Sequence, residues 1–140
     1  MTTTTGTAPV TPGDIDYLLQ EHRKLSWFGF GWGKPGPRDD WQSSRTRLTS
    51  PESIEVIERV RDWLTTTVEP RRSRFGGPTD VDVAAAAARA LGTEVSPGEV
   101  ICAALLAAVP ADFYAGAGQV TLAVNRESLD PTTTPEGARQ

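Results

Sequence analysis

From Val100 to Val109 the chain reads VICAALLAAV, ten residues without a charge. Ser96, Pro97, Gly98 and Glu99 precede the run and Pro110 follows it. Ser96 and Glu99 have the spacing of a capping box, and Pro97 stands at the first helical position, where its missing N–H costs nothing. The run therefore predicts a helix, and that helix is apolar on every side. Such a helix has to be buried all round, so the rest of the chain must supply neighbours for all of its faces. The run is also about half of what a bilayer crossing needs, so no membrane partner is expected.

Three further helices are predicted to surround it. In PGDIDYLLQEHRKLS, Asp14 is a candidate N-cap, and Ile15, Leu18, Leu19, His22 and Leu25 repeat at helical spacing. In LTSPESIEVIERVRDWLTTTVEP, Ser50 caps and Pro51 takes the first position. Ile54, Ile57, Val60 (with Arg61) and Leu64 form its stripe, Val56 and Trp63 widen it, and Glu58 and Asp62 face Arg59 and Arg61 on the wet side. In TDVDVAAAAARALG, Asp80 or Asp82 can cap, five alanines give a thin and strong helix former, and Gly92 marks the end. The stretch QVTLAVN near the C-terminus alternates as one half-buried strand. It needs a partner, from the aromatic stretch, from around Arg45 to Leu48, or from a second copy in a homodimer.

SWFGFGWGKPGPRDDW (Ser26 to Trp41) holds Trp27, Phe28, Phe30, Trp32 and Trp41, five of the chain's ten aromatic rings. Its glycines and prolines predict an irregular aromatic loop. The rings could cover one end of the core, form a protein-binding hot spot with neighbouring arginines, stack on single-stranded nucleic acid, or hold a sugar or small ligand. The run Gly31 to Gly36 fits G-x-G-x-x-G but lacks the preceding strand and following helix that a dinucleotide site requires.

Composition narrows the function classes. The net charge is −4, so no whole-protein basic field for nucleic acid exists, although residues 1–74 are slightly basic. The single cysteine, Cys102, excludes an internal disulfide and a multi-cysteine zinc site. His22 is the only histidine, so a paired imidazole site is excluded. Cys102 lies on the apolar helix, where burial makes a thiol inert. No secretory signal is legible, and a cytoplasmic location is expected.

The expected fold is α+β and mostly α, with about four helices, an aromatic Gly/Pro-rich loop after the first, and a late strand. One domain spans residues 14–129, with a connector at 71–78, between disordered tails at 1–13 and 130–140. The expected function is that of a small non-catalytic partner-binding or regulatory protein. Its protein partner would meet Trp32, Lys34, Arg38, Trp41 and Arg45. The alternative is a nucleic-acid-binding regulator. In it the pair of helices at 81–109 has the general look of a helix-turn-helix, and Arg47, Arg71, Arg72 and Arg74 reach phosphates from loops. No cofactor, metal site or catalytic residue is expected.

Overall fold

The computed structural model describes residues 9–22, 25–27, 29–30, 38–72, 77–113 and 120–129, with 30 and 38–42 as backbone only. The apolar run forms helix α5 (Pro97–Leu106) in the order α1 (Pro12–Glu21), β1 (Leu25–Ser26), β2 (Gly29–Phe30), α2 (Arg38–Arg47), α3 (Pro51–Thr66), α4 (Asp80–Leu91), α5, β3 (Ala111–Asp112), β4 (Thr121–Leu122). A 3-10 turn at Arg126–Leu129 follows. The architecture is α+β and mostly helical.

Every residue of α5 from Gly98 to Ala104 is buried. Helices α1, α3 and α4 and strand β2 pack around it. Its start is the expected capping box: Ser96 Oγ accepts from the Glu99 amide (3.1 Å) and a Glu99 carboxylate oxygen accepts from the Ser96 amide (2.9 Å). The helix stops earlier than the sequence predicts. Ala108 adopts a left-handed conformation (φ 61°), and the Ala108 and Val109 amides donate to Leu105 O and Ala104 O. That is a Schellman ending without the glycine that usually announces it. Burial falls off with it: Leu105, Leu106 and Val109 are half-covered and Ala108 is exposed.

The other helices present their apolar faces to this hub. In α3, Ile57, Val60, Trp63 and Leu64 are buried and Ile54 and Val56 half-buried. Fully burying one such aliphatic side chain contributes roughly 1.5–3 kcal/mol. Of the two places the sequence offers Arg61, it takes the one beside Val60 in the stripe and not the wet face. It is 5% exposed, with Nη2 2.9 Å from Asp62 Oδ1 and 3.9 Å from Glu58 Oε2. A buried guanidinium is tolerated because carboxylates accompany it. The hydroxyls of Thr65 and Thr66 bond back to Asp62 O as α3 ends.

Two caps differ from the sequence reading. Helix α1 is capped by Thr11, with Pro12 at the first position and Asp14 reciprocating from the third. Val10 is buried just outside that cap, so residues 9–13 belong to the fold; residues 1–8 and 130–140 lie outside the described residues. Helix α4 is capped by Thr79, whose Oγ1 accepts from the Asp82 amide (3.2 Å). Gly92 ends it in the left-handed region (φ 71°), as expected.

The largest departure lies in the aromatic stretch. Instead of one loop it contains a short antiparallel hairpin, Leu25↔Phe30 and Ser26↔Gly29, and then a fifth helix, α2, beginning directly after Pro37. A proline restricts the residue before it and its own position, and leaves a helix free to start at the next residue. Helix α2 has Trp41 as its only large apolar residue, so the apolar periodicity that reveals α3 is missing.

The late strand also differs from its predicted form. Residues 120–124 are buried on both sides rather than alternately. β4 pairs antiparallel with β3, Ala111↔Leu122 and Asp112↔Thr121, none of the partners foreseen. On its other side lie bridges Thr79↔Thr121 and Pro70↔Val124. The described ends of the connector thus flank the strand. A Cβ on Gly77 would stand 2.1 Å from Leu122 O, so this close backbone approach requires glycine.

Candidate functional site

The β1–β2 turn sits on the first turn of α5. The Gly98 amide donates to Trp27 O (3.1 Å), and a Cβ on Gly98 would lie 2.0 Å from Ser26 O. This contact fixes the backbone of Trp27 against α5. The indole is half-buried, and the Arg47 guanidinium lies over its face, Cζ 3.9 Å from the ring centroid. Arg47 is in the last turn of α2 and exposed. A guanidinium over an indole is attracted by the ring quadrupole while its outer edge stays wet.

This pair forms one wall of a half-open groove of about 390 Å3. Ser50, Glu52, Ser53 and Val56 line it from the start of α3, Thr93 and Glu94 from the α4–α5 link, and Glu99 from α5. Glu99 is 4% exposed, and its carboxylate is held at both ends. One oxygen takes the Ser96 amide and the other takes the Ser53 hydroxyl at 2.6 Å. The groove therefore lies where the capped starts of α3 and α5 meet the hairpin.

The residues singled out from sequence fall in different places. Trp32, Lys34 and Arg74, and the run Gly31 to Gly36, lie outside the described residues. Arg38 and Trp41 belong to the first turn of α2, the helix that ends in Arg47. Arg45 is turned inward: its Nε donates to Leu25 O (2.9 Å) and its Nη2 to Leu19 O (2.5 Å), tying α2 to β1 and α1. Arg71 and Arg72 are exposed. The pair of helices at 81–109 does form two helices, but the second is the buried hub and offers no face to a nucleic-acid groove.

Residues with chemical potential lie apart from the groove or are buried beneath the surface. His22 stacks on Phe113, ring centroids 5.1 Å apart at 17°, and burial lowers its pKa, opposed by the charge of Glu21. The Cys102 thiol is pushed up to about 12 by burial and, secondarily, by Glu99. Among the described residues no group of three or more His, Cys, Asp or Glu is placed to hold a metal ion, and no helix is long and apolar enough to cross a membrane.

Sequence reasoning named Trp27 and Arg47 separately and did not pair them. It missed Glu52, Ser53, Val56, Thr93 and Glu94. The one available signal was that Ser50-Pro51 and Ser96-Pro97 start two helices in the same way, which says nothing of where those starts meet. Comparison with protein-family models, with curated proteins and with solved structures finds no match to this chain.

Proposed function

We propose that this chain is a small, non-catalytic, intracellular regulatory protein that binds a protein partner along the groove beside Trp27 and Arg47. The observation that carries the reading is the Arg47 guanidinium laid over the Trp27 ring at the groove wall. Tryptophan and arginine are the residues most enriched at interface hot spots, and both are held by the fold before any partner arrives. Val56 supplies the apolar contact that such a site needs.

The nucleic-acid alternative has exposed Arg71 and Arg72 in its favour. Against it, the groove carries Glu52, Glu94 and Glu99, which repel phosphate. The reading is tested by placing a photo-crosslinking amino acid at Val56, and in parallel at exposed Ala85 on α4, in the native host. A discrete protein adduct from position 56 and none from 85 is expected. No adduct, a nucleic-acid adduct, or equal adducts from both positions would refute it.

A further inference from the structure

Two helix N-termini, those of α3 and α5, open on the groove, and such ends ordinarily draw anions. Here the chain uses the Ser53, Ser96, Gly98 and Glu99 amides internally. Ser50 Oγ takes the Ser53 amide (3.2 Å), Ser96 Oγ takes the Glu99 amide, and the Glu99 carboxylate takes the Ser96 amide and the Ser53 hydroxyl. Three carboxylates line the groove against one cation, Arg47, whose guanidinium already lies on Trp27. Glu52 and Glu94 are exposed, and among the described residues neither carboxylate makes a hydrogen bond or an ion pair. Between them the walls include the half-buried, largely apolar side chains of Trp27 and Val56.

We propose that the groove receives a cationic side chain, that of an arginine, from an extended segment of the partner protein. This rests on the reading of the groove as the recognition surface and names what it recognises. The guanidinium sits between Glu52 and Glu94, and its methylene stem runs along Trp27 and Val56. Arginine fits better than lysine because its planar fork can address two carboxylates at once. A space of about 390 Å3 falls in the range of small-ligand pockets, roughly 300–1,000 Å3. It holds one long side chain and its backbone neighbours. An anionic occupant would meet three carboxylates, with the Ser53, Ser96, Gly98 and Glu99 amides already bonded within the chain.

The test titrates an acetylated, amidated heptapeptide, arginine at its centre in a glycine, serine and alanine frame, into the isotope-labelled full-length protein. Backbone amide shifts are expected at Ser53, Val56, Thr93 and Glu94. A peptide with neutral citrulline at the centre is expected to leave them unmoved. The double variant Glu52→Gln with Glu94→Gln should raise Kd at least tenfold. The control Glu55→Gln with Glu127→Gln makes the same change of charge outside the groove and should keep Kd within twofold. Shifts scattered away from the groove, equal losses in both double variants, or no shift at millimolar peptide would overturn the proposal. If those failures come while the Val56 adduct persists, only the cationic occupant is refuted; if the adduct is absent too, the groove reading falls with it.

Discussion

Gly98→Ala separates packing from helix propensity, because the two predict opposite signs. Gly98 is the second residue of α5. Alanine is the better helix former by about 1 kcal/mol, so propensity alone predicts a more stable protein. The structure predicts the reverse. The new Cβ would stand 2.0 Å from Ser26 O, 2.8 Å from Trp27 Cα and 2.9 Å from Ser26 C, all of them backbone atoms. Ordinary C···O contacts begin at about 3.3 Å, so the hairpin must retreat by more than 1 Å, roughly. Overpacking of this kind costs about 1–3 kcal/mol. The Gly98 to Trp27 hydrogen bond is strained at the same time, at about 1 kcal/mol. With the propensity gain subtracted, the net loss is about 2 kcal/mol. Urea unfolding followed by tryptophan fluorescence measures it directly. Gly13→Ala is the control: it is also the second residue of a helix, and the nearest atom to its Cβ is Thr11 Oγ1 at 3.8 Å. That variant should gain up to about 1 kcal/mol. If Gly98→Ala also stabilises, the hairpin does not sit on α5 and Trp27 is not fixed by it.

Ser53→Ala leaves one oxygen of the buried Glu99 carboxylate without its 2.6 Å partner, and should cost about 1–3 kcal/mol in urea unfolding; no loss would mean that water reaches Glu99. Arg45→Met removes the donors to Leu19 O and Leu25 O and should cost about 1–3 kcal/mol. Unchanged stability with loss of the Val56 adduct would return Arg45 to the recognition surface. His22 has a folded pKa below its ordinary 6.5 because burial penalises the cation. The unfolded chain then binds the proton more readily, so this group's contribution is intact above about pH 6.5 and is lost as pH falls through the lowered folded value. His22→Phe keeps a ring against Phe113 and removes the titration. Its melting temperature should fall less than that of the parent between about pH 7.5 and pH 5, and parallel pH profiles would remove His22 from the account.

What the sequence disclosed is what short-range chemistry encodes. The Ser96 to Glu99 capping box, the Ser50-Pro51 start, the Gly92 stop and the burial of VICAA all depend on residues within one or two turns of each other. The misses have a different physics. Helix α2 is polar, and its placement rests on Arg45 reaching backbone carbonyls 20 and 26 residues away. The early end of α5 uses Ala108 where glycine is the usual sign. β4 is sealed on both sides by segments that meet only after folding, so its alternating sequence misled. The groove was illegible for the same reason: Trp27, Val56 and Glu94 come from three separate parts of the chain, and no local pattern joins them.

The account depends on α5 being shut away from solvent, with recognition carried by the surface beside it. Cys102, 0% exposed at the middle of that helix with its thiol pushed up to about 12, is the natural probe. Its rate of reaction with Ellman's reagent should match the rate of global unfolding and rise with urea in step with it. Labelling within seconds in native buffer, at a rate indifferent to urea, would show that the hub is open and would contradict the account.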